Sequence, residues 1–170
     1  MTTESDRHAV EARFRTVFAH LGAVTAYARR RGSIDADAIA AEVMTVAWRR
    51  LADVPRNDPR PWLYATARNL VLAERRRTRR AVAEAEPARW MPDLGLDPAL
   101  ERALRSLSPT DREALLLVAW EDLTPTQAAK ALGVNPTAFR VRLLRARRRF
   151  RAALEDARPA RLAHLDVEGT

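Results

Sequence analysis

Residues 124–151 read TPTQAAKALGVNPTAFRVRLLRARRRFR, and this stretch decides the fold expected for the chain around it. A short segment with an apolar stripe, residues 125–132, is followed by Gly133 and by a longer arginine-rich segment from Pro136. Two helices joined by so short a turn have the layout of a DNA-binding helix-turn-helix. The stretch therefore predicts that motif.

Each predicted boundary has a local physical cause. Thr124 can cap the first helix while Gln127 reaches back to the cap's own N–H, which is the capping-box arrangement. Gly133 can take the left-handed conformation that ends a helix. Asn135 then caps the second helix, and Pro136 occupies a first position where no N–H is needed. The chain is thus expected to stop, turn and restart within three residues.

The second predicted helix has two different faces. Its apolar residues recur at spacings of four, three and four, which places one stripe against the first helix: Phe139, Leu143, Ala146 and Phe150. Seven arginines lie between Arg140 and Arg151. Guanidinium, hydroxyl and methyl groups near the start of such a helix suit base edges, and flanking arginines suit phosphates. The alternative is a solvated basic helix on an ordinary bundle. The residues predicted to face DNA are Asn135, Thr137, Arg140, Val141, Leu144 and Arg145.

Composition favours a polyanionic partner or a membrane surface, because the formal net charge is +8 and the pI about 11.2. The absence of cysteine excludes disulfides, thiol catalysis and cysteine-ligated zinc. The N-terminus lacks the apolar core of a signal peptide, and no apolar run approaches the length of a membrane span. We expect a soluble, cytoplasmic protein.

The rest of the chain predicts helices only, so the expected fold is all-α, with two small helical domains joined by a flexible linker. Residues 10–24 and 39–51 carry apolar residues at helical spacing, and no strand alternation appears. Five pairs of a capping residue and proline mark helix starts: Asp58-Pro59, Asp97-Pro98, Ser108-Pro109, Thr124-Pro125 and Asn135-Pro136. The expected organisation is a first domain over 1–80, a linker over 81–97, the helix-turn-helix domain over 98–156 and a tail over 157–170.

The sequence offers no catalytic constellation. The three histidines are scattered without carboxylates at ligand spacing, the glycines form no phosphate-binding loop, and Glu42 and Glu74 are isolated carboxylates. We expect no enzyme activity, no metal and no cofactor.

Three segments together resemble a bacterial RNA polymerase sigma factor of the extracytoplasmic-function (ECF) type. DADAIAAEVMTVAWRRL, residues 35–51, looks like the family's polymerase-binding helix. PRPWLYATARNLVLAERRR, residues 59–77, is similar to the helix that handles the −10 promoter element. Residues 104–151 look like the domain that reads the −35 element. The resemblance covers about residues 10–154.

This resemblance implies a transcription initiation factor that binds core RNA polymerase, recognises promoter DNA and promotes strand opening, with an anti-sigma factor as a possible further partner. Its match to polymerase-binding positions falls on Glu42, Trp48 and Arg49. Its match to the pocket for a flipped −10 base falls on Arg56, Asn57, Asp58 and Asn69. The resemblance also implies that the outward-facing residues of the arginine-rich helix recognise the −35 element.

The main alternative is a free-standing helix-turn-helix regulator whose N-terminal helices dimerise or sense a signal. A third interpretation, a helical protein that binds only other proteins, leaves the capped arginine-rich helix unexplained. Co-purification with core polymerase distinguishes the first two, because a sigma factor should co-purify and an operator-binding dimer should not.

Overall fold

The structure is a computed structural model that describes residues 4–81 and 95–157. All regular secondary structure in these two ranges is α-helix, so the predicted all-α fold is confirmed. Residues 82–94 of the predicted linker and residues 158–170 of the predicted tail lie outside the described residues. The helices are α1 (Glu4–Phe18), α2 (Leu21–Arg30), α3 (Ala36–Arg49), α4 (Arg60–Ala81), α5 (Pro98–Ser106), α6 (Pro109–Ala119), α7 (Pro125–Leu132) and α8 (Pro136–Ala157).

The five predicted helix starts are all present, because each capping side chain accepts a hydrogen bond from a backbone N–H at the start of its helix. Asp58 accepts from Arg60 at 3.1 Å, and Asp97 accepts from Ala99 at 2.8 Å. Ser108 caps α6 in the same way. These bonds satisfy N–H groups that have no partner within the helix.

The apolar residues at helical spacing over 10–24 belong to two separate helices, α1 and α2. The chain turns at Ala19 and His20, whereas Gly22 lies inside α2. Of α1, only Val17 is buried, while Val10 and Phe18 are 44% and 48% exposed. The apolar spacing of α1 is thus helical as predicted, but most of its apolar residues stay uncovered where α1 packs against α3.

The two groups of helices, α1–α4 and α5–α8, pack against each other. Buried side chains from both groups form one continuous apolar cluster, and α4 contacts α7 along this junction. Tyr27 stacks on Tyr64 inside the first group, with ring centroids 4.8 Å apart. We call the junction between α1–α4 and α5–α8 the seam.

Candidate nucleic-acid interface

The helix-turn-helix forms with the predicted caps. Thr124 Oγ1 accepts from the N–H of Gln127 at 3.3 Å, and Gln127 Oε1 accepts from the N–H of Thr124 at 2.7 Å, which completes the capping box. Gly133 ends α7 with φ of 65°, a conformation that strains residues with a Cβ. Asn135 Oδ1 then accepts from the N–H of Thr137 at 2.8 Å and begins α8. Local hydrogen bonds thus end α7 and begin α8, with three residues between the two helices.

One face of α8 is anchored in the protein. Phe139, Leu143 and Ala146 are buried, and Phe150 is partly buried against the same cluster. Arg149 forms an ion pair with the buried carboxylate of Asp111 on α6. Arg149 therefore has a structural partner, although its position in the arginine run had suggested a phosphate contact.

The opposite face of α8 is open. All six residues predicted to face DNA are exposed: Asn135, Thr137, Arg140, Val141, Leu144 and Arg145. Leu144 is 68% exposed, a large apolar side chain that nothing in the described chain covers. Arg140 and Arg145 form no ion pair with any described residue. This arc combines cationic, hydroxyl and methyl groups that are available to a partner.

The four residues matched to the −10 pocket are not all brought together. Arg56 and Asn57 are exposed and line a depression of about 520 Å³ between α1 and the loop before α4. Asn69 is exposed on α4 but does not line this depression. Asp58 is turned toward the protein, where it accepts from Arg60 and also from Gln127 Nε2 of α7 at 2.5 Å.

The electrostatics of Asp58 explain this orientation. Burial alone would raise the pKa of Asp58, but hydrogen bonds from the side chain and backbone of Arg60 lower it below its usual value. Asp58 is therefore ionised at neutral pH. As an acceptor already engaged by Arg60 and Gln127, it joins the loop before α4 to the helix-turn-helix.

The residues matched to polymerase binding are all exposed on α3. Glu42 and Arg49 lie on the outer side of α3, and Trp48 beside them is 47% exposed. The Trp48 ring packs edge-on against Phe14 of α1, with centroids 5.0 Å apart. Together with the exposed Val10 and Phe18, this makes an apolar surface next to charged groups. The helical spacing of the apolar residues in α1 indicated an apolar stripe, but the sequence did not show that this stripe stays exposed.

Sequence reasoning missed the polar contacts across the seam. Glu121, whose side chain is 2% exposed, accepts from Arg30 at 2.6 Å and from Arg31 at 3.2 Å. Arg68 of α4 donates to Glu113 of α6 at 2.9 Å. These partners are 45 to 91 residues apart in the chain, so no local pattern could have paired them.

None of the described helices has the length and apolar character needed to cross a membrane. Within residues 4–81 and 95–157, histidine and acidic side chains form no group of three or more that could hold a metal ion.

The helix-turn-helix is anchored on one side and exposes a basic arc on the other. The four-helix group beside it carries a loop depression and a surface that mixes apolar and charged side chains. Together these features define a DNA-binding protein with two parts. Comparison with known proteins makes the class specific. The family model for Sigma-70 region 2 matches residues 17–81, and that for Sigma-70 region 4 matches residues 98–150. No curated protein sequence matches significantly.

Solved structures have the same fold. The sigma factor RpoE in complex with the anti-sigma factor NepR from Bartonella quintana is 23% identical, with a TM-score of 0.64 over 85% of this chain and 97% of that one. CnrH in complex with the cytosolic domain of CnrY is 25% identical, with a TM-score of 0.59 over 84% and 88%. The PhyRSL-NepR complex from Sphingomonas sp. Fr1 is 23% identical, with a TM-score of 0.61 over 92% and 94%.

The two family matches together cover more than half of the chain, and they are the two regions of a promoter-recognition factor. The chain belongs to the sigma-70 family, of which it carries both region 2 and region 4. It binds core RNA polymerase and promoter DNA and directs the polymerase to promoters.

Proposed function

We propose that the outer arc of α8 reads the −35 element through Asn135, Thr137, Arg140, Val141, Leu144 and Arg145. The observation that carries this assignment is the contrast between the two faces of α8, one anchored by Phe139 and Leu143 and the other exposed throughout. Because one side of α8 is held rigidly, the helix loses little conformational entropy when its other side enters a groove of DNA. Arg140 and Arg145 have no ion-pair partner in the described chain, so binding DNA breaks no such contact.

The −10 element is handled by region 2 in this proposal. Arg56 and Asn57 line the depression, Asp58 shapes the loop through Arg60, and Asn69 offers an exposed amide on α4. An amide supplies both a donor and an acceptor to the edge of a base that has left the stack. Glu42, Trp48 and Arg49 contact core polymerase, with the exposed Trp48 as the apolar anchor.

We propose a sigma factor of the extracytoplasmic-function type with the organisation that the sequence predicts, which the family matches over residues 17–81 and 98–150 support. Region 2 occupies 1–80, a linker 81–97, region 4 residues 98–156 and a tail 157–170. We propose that the protein acts in the cytoplasm, where its polymerase is, and without catalysis of its own. Because RpoE of Bartonella quintana was solved with an anti-sigma factor, an anti-sigma factor is proposed as a partner here too.

Reconstituted transcription tests the proposal. Core polymerase with this chain should produce run-off transcripts from a subset of a promoter library, and the chain should co-purify with the core enzyme. A free-standing helix-turn-helix regulator would instead bind operator DNA by itself and give no transcripts with core polymerase. That outcome would reject the −10 and polymerase assignments together.

The Asn69→Ala variant tests the opening step alone. Flipping a base costs a few kcal/mol, so loss of the amide should reduce promoter opening while holoenzyme assembly and closed-complex binding stay intact. Permanganate reactivity of the −10 region measures opening. Thr78→Ala, an exposed substitution further along α4, is the control. Opening at the wild-type level would remove Asn69 from the mechanism.

A further inference from the structure

The depression of about 520 Å³ between α1 and the loop before α4 has two walls. The loop wall contains Arg56 and Asn57, which the proposed function gives to the −10 element. The other wall, which we call the α1 wall, is formed by α1 and the turn after it, and its polar residues are Arg13, Thr16 and His20. Arg13 and Thr16 precede the match to Sigma-70 region 2, which begins at residue 17. The family match therefore does not account for much of this wall.

The fold holds His20 at the edge of the depression. The chain turns at Ala19 and His20, after α1 ends at Phe18 and before α2 begins. Val17, which also lines the depression, is buried in the core and anchors this end of α1. His20 is the residue before α2, but its side chain makes no capping hydrogen bond. The half-buried imidazole ring is therefore not used by the start of α2.

Arg13 connects the α1 wall to the loop wall. Its Nη2 donates to the carbonyl oxygen of Val54 at 2.6 Å, and the two residues are 41 apart in the chain. The Val54 side chain is 2% exposed, so the loop leaves the core from a fixed point. Pro55 and Pro59 also line the depression, and each proline ring fixes the φ of its own residue. The distance between the two walls is thus set by α1 as well as by the loop.

The chemistry of the lining fits one nucleotide of single-stranded DNA. None of the described residues that line the depression is acidic, which favours a polyanion. Arg56 is exposed and forms no ion pair with any described residue, so its guanidinium is available to a phosphate. The Asn57 amide offers a donor and an acceptor to a base edge. An imidazole ring such as that of His20 can stack on an unpaired base.

The size of the depression agrees with this ligand. Its volume of about 520 Å³ lies within the range of ~300–1,000 Å³ that is typical of ligand pockets. Apolar groups of Ala12, Val17, Pro55 and Pro59 complete the lining. Sites for unstacked bases combine such apolar surfaces with a few polar groups that read the base edge.

We propose that the α1 wall takes part in recognition of the −10 element: His20 contacts an unstacked nucleotide in the depression, and Arg13 positions the loop that forms the opposite wall. This proposal rests on the assignment of Arg56 and Asn57 to the −10 element and adds a second wall to that site. His20 and Asn57 approach the same base from opposite walls, so both set the base preference. Arg13 acts through Val54 and is a positioning residue.

Selection from a promoter library randomised over the −10 element, by holoenzyme reconstituted with the full chain, tests His20. His20→Ala should lower the preference for the favoured base at one −10 position about fivefold or more, as expected for the loss of one contact with an unstacked base. His8→Ala is the matched control, because His8 lies on α1 but is exposed and does not line the depression. Its base preference should equal that of the wild type.

The selection separates failure of this proposal from failure of the −10 assignment. Wild-type preference in His20→Ala, with an altered preference in Asn57→Ala, would overturn the role of the α1 wall and leave the loop assignment standing. Wild-type preference in both variants would reject the depression as the −10 site. Weaker co-purification of His20→Ala with core polymerase, at unchanged base preference, would make the depression a polymerase contact and also overturn the proposal.

Arg13→Met and Arg13→Lys test the positioning role. Arg13→Met removes the donors but keeps an unbranched side chain, so it should reduce permanganate reactivity of the −10 region while co-purification with core polymerase stays intact. Arg13→Lys keeps a cationic donor for the Val54 carbonyl and should restore part of the reactivity. Arg15→Met alters an exposed arginine on the same helix and is the control. Equal reactivity of Arg13→Met and Arg15→Met would overturn the positioning role.

Discussion

Arg140 lies in the second turn of α8, exposed and without an ion-pair partner in the described chain. Its guanidinium is therefore available for a bidentate contact with a guanine edge. Arg149, two turns later, is held by Asp111. Residues of one type on one helix thus have different tasks, and the tertiary partner of each decides which.

Arg140→Ala should relax the base preference at one −35 position, with a loss of about 1–3 kcal/mol in promoter affinity for the preferred base. Selection of promoters from a randomised −35 library by the holoenzyme measures this. Arg151→Ala, an exposed arginine near the end of the run, should weaken all sequences alike or change nothing. An unchanged −35 preference in Arg140→Ala would show that another face of α8 reads the bases.

Tyr27 makes stability depend on pH in the alkaline range. Burial raises the pKa of Tyr27 from its ordinary value of 10 to about 12. The folded state therefore holds this proton more tightly than the unfolded state. The resulting stabilisation is complete below about pH 10 and is lost as the pH rises toward 12 and beyond, up to about 3 kcal/mol.

Tyr27→Phe should remove the part of the alkaline loss that comes from Tyr27 and leave the part from Tyr64, because burial raises the pKa of Tyr64 to about 12 as well. The Tyr27 hydroxyl has no hydrogen-bond partner in the described chain, so the substitution should leave the free energy of unfolding at pH 8 unchanged or raise it slightly. Urea unfolding at pH 8 and pH 11 measures both effects. A variant that is much less stable than wild type at pH 8 would mean that the hydroxyl has a partner after all.

At the scale of elements, the buried face and the exposed face of α3 have different roles. Ile39, Val43 and Ala47 are buried as their spacing predicts, and Met44 is buried beside them. Glu42, Trp48 and Arg49 are on the outer side. The folding role and the proposed binding role of this helix therefore use different residues.

Glu42→Arg and Arg49→Glu should each weaken binding to core polymerase while leaving thermal stability nearly unchanged, because exposed substitutions usually change stability by less than about 0.5 kcal/mol. A pull-down with core polymerase measures binding. Asp37→Arg, an exposed charge reversal at the start of the same helix, is the control. Binding of both variants at the wild-type level would reject this face of α3 as the polymerase surface.

At the scale of the molecule, the packed arrangement sets a limit on DNA binding. A compact chain of this length has a radius of gyration of about 15 Å. In the proposed assignment the two regions contact the −35 and −10 elements, about 25 base pairs and hence about 85 Å apart on B-form DNA at about 3.4 Å per base pair. On that assignment the two regions must separate to occupy both elements, and the contacts across the seam oppose that separation.

Glu121→Gln should favour separation. The change leaves Arg30 and Arg31 without their shared carboxylate, and breaking a buried ion pair in place costs about 3–5 kcal/mol. Separation of the two groups returns both arginines to water and avoids this cost. We expect a larger radius of gyration by small-angle X-ray scattering, with helix content retained.

Glu101→Gln is the control for this prediction, since it removes a carboxylate whose partner Arg105 is half exposed on the same helix. Its scattering should match that of the wild type. If Glu121→Gln has the same radius of gyration as the wild type and Glu101→Gln, the apolar contacts of α4 with α7 alone hold the seam closed.

The sequence alone determined where the helices form and which of the proposed site residues on α8 are exposed. Capping bonds and apolar spacing act over three or four residues, so Thr124, Gln127, Gly133 and Asn135 could be assigned their conformations without knowing what lies nearby in space. The six residues of the α8 arc are exposed as expected because the buried stripe of a helix defines its opposite face.

Only the tertiary structure decided which surfaces are covered. The exposure of Phe18, the attachment of Asp58 to Gln127 and the sharing of Glu121 by two arginines depend on partners tens of residues away. Sequence patterns carry no information on such distances, because any carboxylate could satisfy any of 29 arginines. The packing of the two groups of helices across the seam selected these pairs.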